Sequence, residues 1–179
     1  MKNRKTIVTT AILIVLTASL VAAFGQKRVQ RFKPGDMTIA EVAITNGNFN
    51  TLVAALICTD LVGAVSNPDA ELTVFAPTDA AFGGLGLNPG NICTTFDEET
   101  LATILLYHVV GERRPSPSVI NGKNKSIPML AGGSIFPEGD RSTVVRDNLD
   151  RPVTIVMPDV MASNGIIHVV NDVLLPVAP

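Results

Sequence analysis

The chain has 179 residues, of which 46% are hydrophobic and 4% aromatic with no Trp, which suits one globular domain built on aliphatic packing rather than two domains. Fourteen Lys and Arg stand against sixteen Asp and Glu, for a formal charge of −2. Without the first 23 residues, 11 cations face 16 anions and the charge is −5, which argues against nucleic acid as a partner.

At the start, Lys2, Arg4 and Lys5 precede an apolar run at 7–23, the pattern of a bacterial-looking secretory signal peptide over residues 1–23. Val21-Ala22-Ala23 and Ala23-Phe24-Gly25 both fit cleavage, and no Cys stands where a lipoprotein signal would need one. The run is about 17 residues long, near the lower limit for spanning a bilayer, so an uncleaved anchor is the alternative. The expected location is therefore secreted, periplasmic or cell-surface. Residues 24–35 carry Lys27, Arg28, Arg31 and Lys33 and end in Pro34-Gly35, as a solvated basic linker does. Membrane contact through these cations is expected only if the signal segment is retained.

The folded domain is expected over 36–179. Thr38-Ile39-Ala40-Glu41 is a capping box, in which hydroxyl and carboxylate satisfy each other's backbone donors, so a short helix begins there and stops at Asn46-Gly47. Phe49, Leu52, Val53 and Leu56 follow at the spacing of one apolar helical face. At 100° per residue Cys58 falls opposite Phe49, off that stripe. An even pair of cysteines in an exported protein makes a Cys58–Cys93 disulfide the default, with two free thiols or half of a metal site as alternatives. Such a bridge contributes roughly 3 to 4 kcal/mol in the chain-entropy model.

Residues 72–82, LTVFAPTDAAF, combine a strand, a turn and a helix start. Leu72, Val74 and Ala76 alternate with Thr73 and Phe75 as in a mostly buried strand. Pro77 has no N–H for a ladder and ends it. Thr78 or Asp79 then caps a turn of helix that Gly83 and Gly84 stop. The glycines at 83–90 lack the Gly-Lys-Ser/Thr ending of a phosphate-binding loop. Thr95-Phe96-Asp97-Glu98 reads as a second capping box, and Leu101, Ile104, Leu105 and His108 follow at i, i+3, i+4 and i+7. That spacing puts His108 on the buried stripe as a core histidine.

From Gly111 onward the pattern is stranded, with runs at 134–136, 143–145, 153–157 and 166–170 punctuated by turns that include Asn121-Gly122 and Asn164-Gly165, pairs suited to positive φ in hairpins. Helices first and strands second make an α+β domain, in which the 72–77 strand can join the later sheet. His168 is the other histidine, and neither sits in an HxH or HExxH pattern, so no metal is expected. No Gly-x-Ser-x-Gly elbow occurs, nothing groups a Ser or Cys nucleophile with a His, and Glu98-Glu99 open a helix where its dipole accounts for them. No enzyme activity and no cofactor are expected. Asn124-Lys125-Ser126 is a glycosylation sequon, meaningful only in a eukaryotic host.

Three ordered stretches carry a family likeness. TVFAPTDAAF resembles the first signature of the fasciclin (FAS1) domain, LLYHVV at 105–110 its Tyr-His motif, and ASNGIIHVVNDVLLP at 162–176 its second signature. The resemblance spans roughly residues 35–177 and implies a FAS1-like β-sandwich wedge with a packed group of helices. It also implies a non-enzymatic adhesion or matrix-interaction module whose partners are cell-surface or matrix proteins or glycans. Tyr107 and His108 match the motif associated in the family with integrin adhesion, and Asp159-Val160 stand where animal domains carry an Asp-Ile peptide implicated in the same contact. Some fasciclin domains bind carotenoids, so a carrier of an apolar ligand, carotenoid or lipid, is the alternative.

Overall fold

The computed structural model describes residues 35–121 and 125–176. The signal at 1–23, the linker before Gly35 and the sequon at Asn124 lie outside the described residues. The α+β expectation holds: helices dominate up to Leu106, and the strands run in the order β2-β1-β7-β6-β5-β4-β3. These strands are β1 (Leu72–Pro77), β2 (Val109–Val110), β3 (Ile127–Pro128), β4 (Ser134–Pro137), β5 (Val144–Arg146), β6 (Pro152–Ala162) and β7 (Gly165–Val170).

The chain's 72–77 stretch sits inside the sheet, antiparallel to β2 and parallel to β7, with Leu72 opposite Gly165 and Pro77 opposite Val170. A strand with neighbours on both edges and cover on both faces is apolar wherever its side chains have no polar partner, and the one polar residue of this strand, Thr73, is buried with its hydroxyl donating to Glu112 O and accepting from Arg114 N–H. Alternation then assigns its side chains to two cores. Val74, Ala76, Ile167 and Val169 face the helices, while Phe75 and Val170 face a second cluster with Tyr107, Ile135, Val145 and Val153.

The helices are α1 (Ile39–Asn46), α2 (Asn50–Cys58), α3 (Val62–Ser66), α4 (Asp79–Gly84), α5 (Ile92–Thr95), α6 (Glu98–Leu106) and α7 (Ser116–Ile120). The capping box forms as expected, and α1 ends on Gly47 at φ 76°. The choice between Thr78 and Asp79 resolves into both, on different helices. Thr78 caps its own α4 through Ala81 N–H, whereas the Asp79 carboxylate accepts from the N–H groups of Asn50 (3.2 Å) and Thr51 (2.7 Å), the first turn of α2. Helix α2 has no side-chain cap of its own, so a residue 29 positions away supplies one. Cys58 and Cys93 form a disulfide with Cα atoms 5.9 Å apart, joining α2 to α5.

Two expectations need correction. Helix α6 starts two residues later than the Thr95 box, because Asp97 takes the cap, accepting from Thr100 N–H at 2.8 Å, while the Thr95 hydroxyl turns back to Asn91 O. At the β6–β7 hairpin, Ala162 pairs with Gly165, so the turn residues are Ser163 and Asn164 and Gly165 belongs to the strand. Glycine is required at 165 by proximity rather than by φ, since a Cβ there would lie 2.3 Å from Leu72 O.

Candidate functional site

Tyr107 and His108 are interior residues. Tyr107 is the C-cap of α6 and is fully buried, its hydroxyl donating to Ser134 O (2.7 Å) and accepting from Asn148 N–H (3.0 Å). His108 lies beyond the helix rather than on its stripe, which corrects the i, i+7 expectation, yet only 2% of it is exposed. Its Nδ1–H donates back to Ile104 O at 2.8 Å, satisfying a carbonyl that the helix end leaves unpaired. Its Nε2 accepts from Leu174 N–H at 2.9 Å. A carbonyl only accepts and a backbone N–H only donates, so these partners define one neutral tautomer. Burial accordingly pushes the His108 pKa down to about 4, with the Arg151 guanidinium adding to the effect and Asp147 opposing it. The fold therefore holds Tyr107 and His108 inside the core, with their polar atoms bonded to the backbone.

Around them, Asp147 and Arg151 finish the anchor. Asp147, 1% exposed, receives Arg151 through Nε (2.9 Å) and Nη2 (2.7 Å) and also accepts from Leu175 N–H, while Arg151 donates to Val173 O. The stretch 173–175 is thus held by His108 on one side and by this ion pair on the other. An i, i+4 Asp–Arg spacing was the available clue, but in a β-rich segment it reads as surface charge.

Asp159 and Val160 lie in a bulged part of β6, where the register to β7 shifts twice between Ile155 and Val160. Asp159 is half-buried at φ 57°, and its carboxylate accepts from Ser116 N–H at 2.7 Å and from the Ser116 hydroxyl. Its own N–H donates to His168 Nδ1 at 3.2 Å, and His168 Nε2–H donates to Arg114 O at 2.9 Å. Val160 is half-buried against the helix-side core. What the bulge turns outward is apolar: Val156 is 56% exposed, Met157 57% and Met161 46%.

The structure thus brings a Ser, an Asp and a His together, which spacing alone did not suggest. Their roles are wrong for nucleophilic catalysis. The serine proton goes to the aspartate, and both imidazole nitrogens are spent on backbone groups, so no imidazole base faces the hydroxyl. Burial lowers the His168 pKa, opposed by the Arg114 carbonyl and by Asp159. Among the described residues, no three His, Cys, Asp or Glu side chains converge where they could hold a metal ion.

The family model described as the Fasciclin domain matches residues 47–176. Protein sll1483 of Synechocystis is 39% identical over 142 residues, covering 78% of this chain and 74% of that protein. The cell surface glycolipoprotein MPB83 of Mycobacterium bovis is 31% identical over 149 residues, 78% of this chain and 61% of that protein. The solved structure of a FAS1 domain pair from the insect cell adhesion molecule Fasciclin I superposes with a TM-score of 0.69 at 18% identity, over 79% of this chain and 51% of that one.

Proposed function

We propose, since this chain belongs to the fasciclin domain family, that it serves as an exported, non-enzymatic adhesion module that grips a cell-surface or matrix protein or glycan through the β6 bulge. The observation that carries this reading is the outward set Val156, Met157 and Met161, apolar side chains held in solvent around the half-buried Asp159. Exposed apolar groups on a rigid strand lose little conformational freedom on binding, and such a patch marks an interaction surface. A mycobacterial relative that is a cell surface glycolipoprotein supports the location. Pull-down of surface components with the wild type and with Met157→Ser/Met161→Ser tests it: capture is lost in the variant while the melting temperature holds. Equal capture by both proteins removes the bulge from the proposal.

The carrier reading is supported by an apolar cavity of about 100 Å³ lined by Leu56, Leu61, Val65, Leu72, Leu105 and Leu130, between α2, α3 and α6. A cavity of roughly 150 Å³ accommodates benzene, so this one suits the end of a hydrocarbon chain rather than a whole polyene. Solvent extraction of protein purified from its own host decides between the two: a recovered lipid or a visible absorption band favours the carrier, and neither favours adhesion.

A further inference from the structure

A second open apolar groove lies on the helical side, distant in sequence from the β6 bulge and independent of the reading above. It encloses about 140 Å³ and is lined by Leu85, Leu87, Phe96, Leu175 and Thr95. Leu85, at the C-cap of α4, is 42% exposed, whereas Leu87 and Leu175 form a buried floor. The space is close to the roughly 150 Å³ that takes a benzene ring, so it accepts one aromatic or branched aliphatic side chain.

The charge around it is one-sided. From Gly35 to Glu112 the chain contains ten carboxylates and no Lys or Arg, whereas 113–179 holds seven cations and six anions. Directly after the groove residue Phe96 come Asp97, Glu98 and Glu99, all exposed. The Asp97 carboxylate is spent on capping α6, which leaves Glu98 and Glu99 as the exposed carboxylates next in the chain after Phe96. The cation nearest the groove's Leu175 is Arg151, and it is paired with Asp147, so the charge left over beside Phe96 is negative, with a reach of about a Debye length, roughly 10 Å at 0.1 M salt.

We infer that this groove is a docking site for a cationic polypeptide segment, seating one aromatic or aliphatic side chain between Leu85 and Phe96 with flanking Lys or Arg side chains against Glu98 and Glu99. The pocket supplies the contact area, and the carboxylates select the sign of charge and speed the encounter.

The test titrates the full chain with a fluorescent, end-blocked Lys-Arg-Phe-Arg-Lys pentapeptide and with a Gln-Gln-Phe-Gln-Gln analogue. The cationic peptide is expected to bind, and to weaken about tenfold when salt rises from about 50 to 300 mM. Glu98→Gln/Glu99→Gln is expected to weaken it about fivefold, as loss of two exposed charge pairs would. Leu85→Ser abolishes the binding while the thermal melt stays nearly in place, since Leu85 is already 42% exposed. No binding of the cationic peptide at low salt, binding unchanged by Leu85→Ser, or equal binding of the neutral analogue overturns the inference; the last would reassign the groove to an uncharged apolar ligand.

Discussion

His108 and His168 are both sealed inside the protein, and they are held as opposite tautomers: His108 carries its proton on Nδ1, His168 on Nε2. Each ring cross-links two backbone segments far apart in the chain, Ile104 with Leu174 in one case and Arg114 with Asp159 in the other. The difference lies in what surrounds the partners. Leu174 is fully buried, so a lost bond there leaves an N–H with no water to turn to. Arg114 and Asp159 are half-buried, so solvent can replace what the ring supplied. One histidine therefore holds the core together, and the other sets the shape of the β6 bulge.

Removing each ring tests that difference most directly. His108→Ala is expected to destabilise by about 3 to 4 kcal/mol, from a cavity plus two orphaned backbone groups. His168→Ala should cost about 2 kcal/mol, because its backbone partners regain water. Urea unfolding of both variants checks the order, and a larger loss for His168→Ala would break the comparison.

Acid sharpens it next. A folded pKa of about 4 for His108 lies below the unfolded value near 6.5, so the unfolded state binds more protons in that interval and stability rises with pH. The contribution is complete above pH 6.5 and is lost as pH falls to 4, up to about 3 kcal/mol at 1.36 kcal/mol per unit. His168, also lowered by burial, adds in the same direction. Unfolding free energy measured from pH 7 to pH 4 should fall accordingly, and His108→Gln should flatten much of the slope. A wild type equally stable at both ends would contradict the neutral, fully bonded ring.

At the bulge the effects are smaller and backbone conformation separates them. Asp159→Ala forfeits both Ser116 contacts and puts at φ 57° a residue that tolerates the left-handed region less well than Asp, for a loss of about 1 to 2 kcal/mol. Asp159→Gly forfeits the same contacts but suits that φ, so it should cost less than alanine. Paired thermal melts read the difference. Smallest of all, Val156→Ser should move stability by no more than about 0.5 kcal/mol while reducing capture of the surface partner, because an exposed side chain contributes to binding and not to the core.

Parts of this were legible in the chain itself. The strand at 72–77, the capping box at Thr38 and the end at Gly47 follow from local spacing, while His108 is buried as expected but by a contact past the helix end rather than by its place on the stripe. The Tyr-His motif was visible as a motif, yet the i, i+7 periodicity carried the helix through His108 when it stops at Leu106. Backbone groups at a helix end are open to any nearby acceptor or donor, and the ring that satisfies Ile104 O reads the same whether it lies in the last turn or just past it. Asp159 was visible only through the family likeness. Ser116, which fixes its carboxylate, carried no mark.

By itself the sequence determined the periods, the caps and the order of elements, since each depends on residues within about one turn or one strand of each other. Only the tertiary structure decided where free hydrogen-bonding groups found their partners. Asn164 illustrates this: fully buried in the turn at 163–164, it accepts from Ile39 N–H at 2.9 Å and donates to Val65 O and Asn67 O, joining a hairpin to two helices about a hundred residues upstream. The Asp79 cap on α2 and the close packing at Gly165 have the same origin. Buried polar groups must be satisfied by whatever the packed chain brings within reach, and that is a property of the whole fold rather than of any window along it.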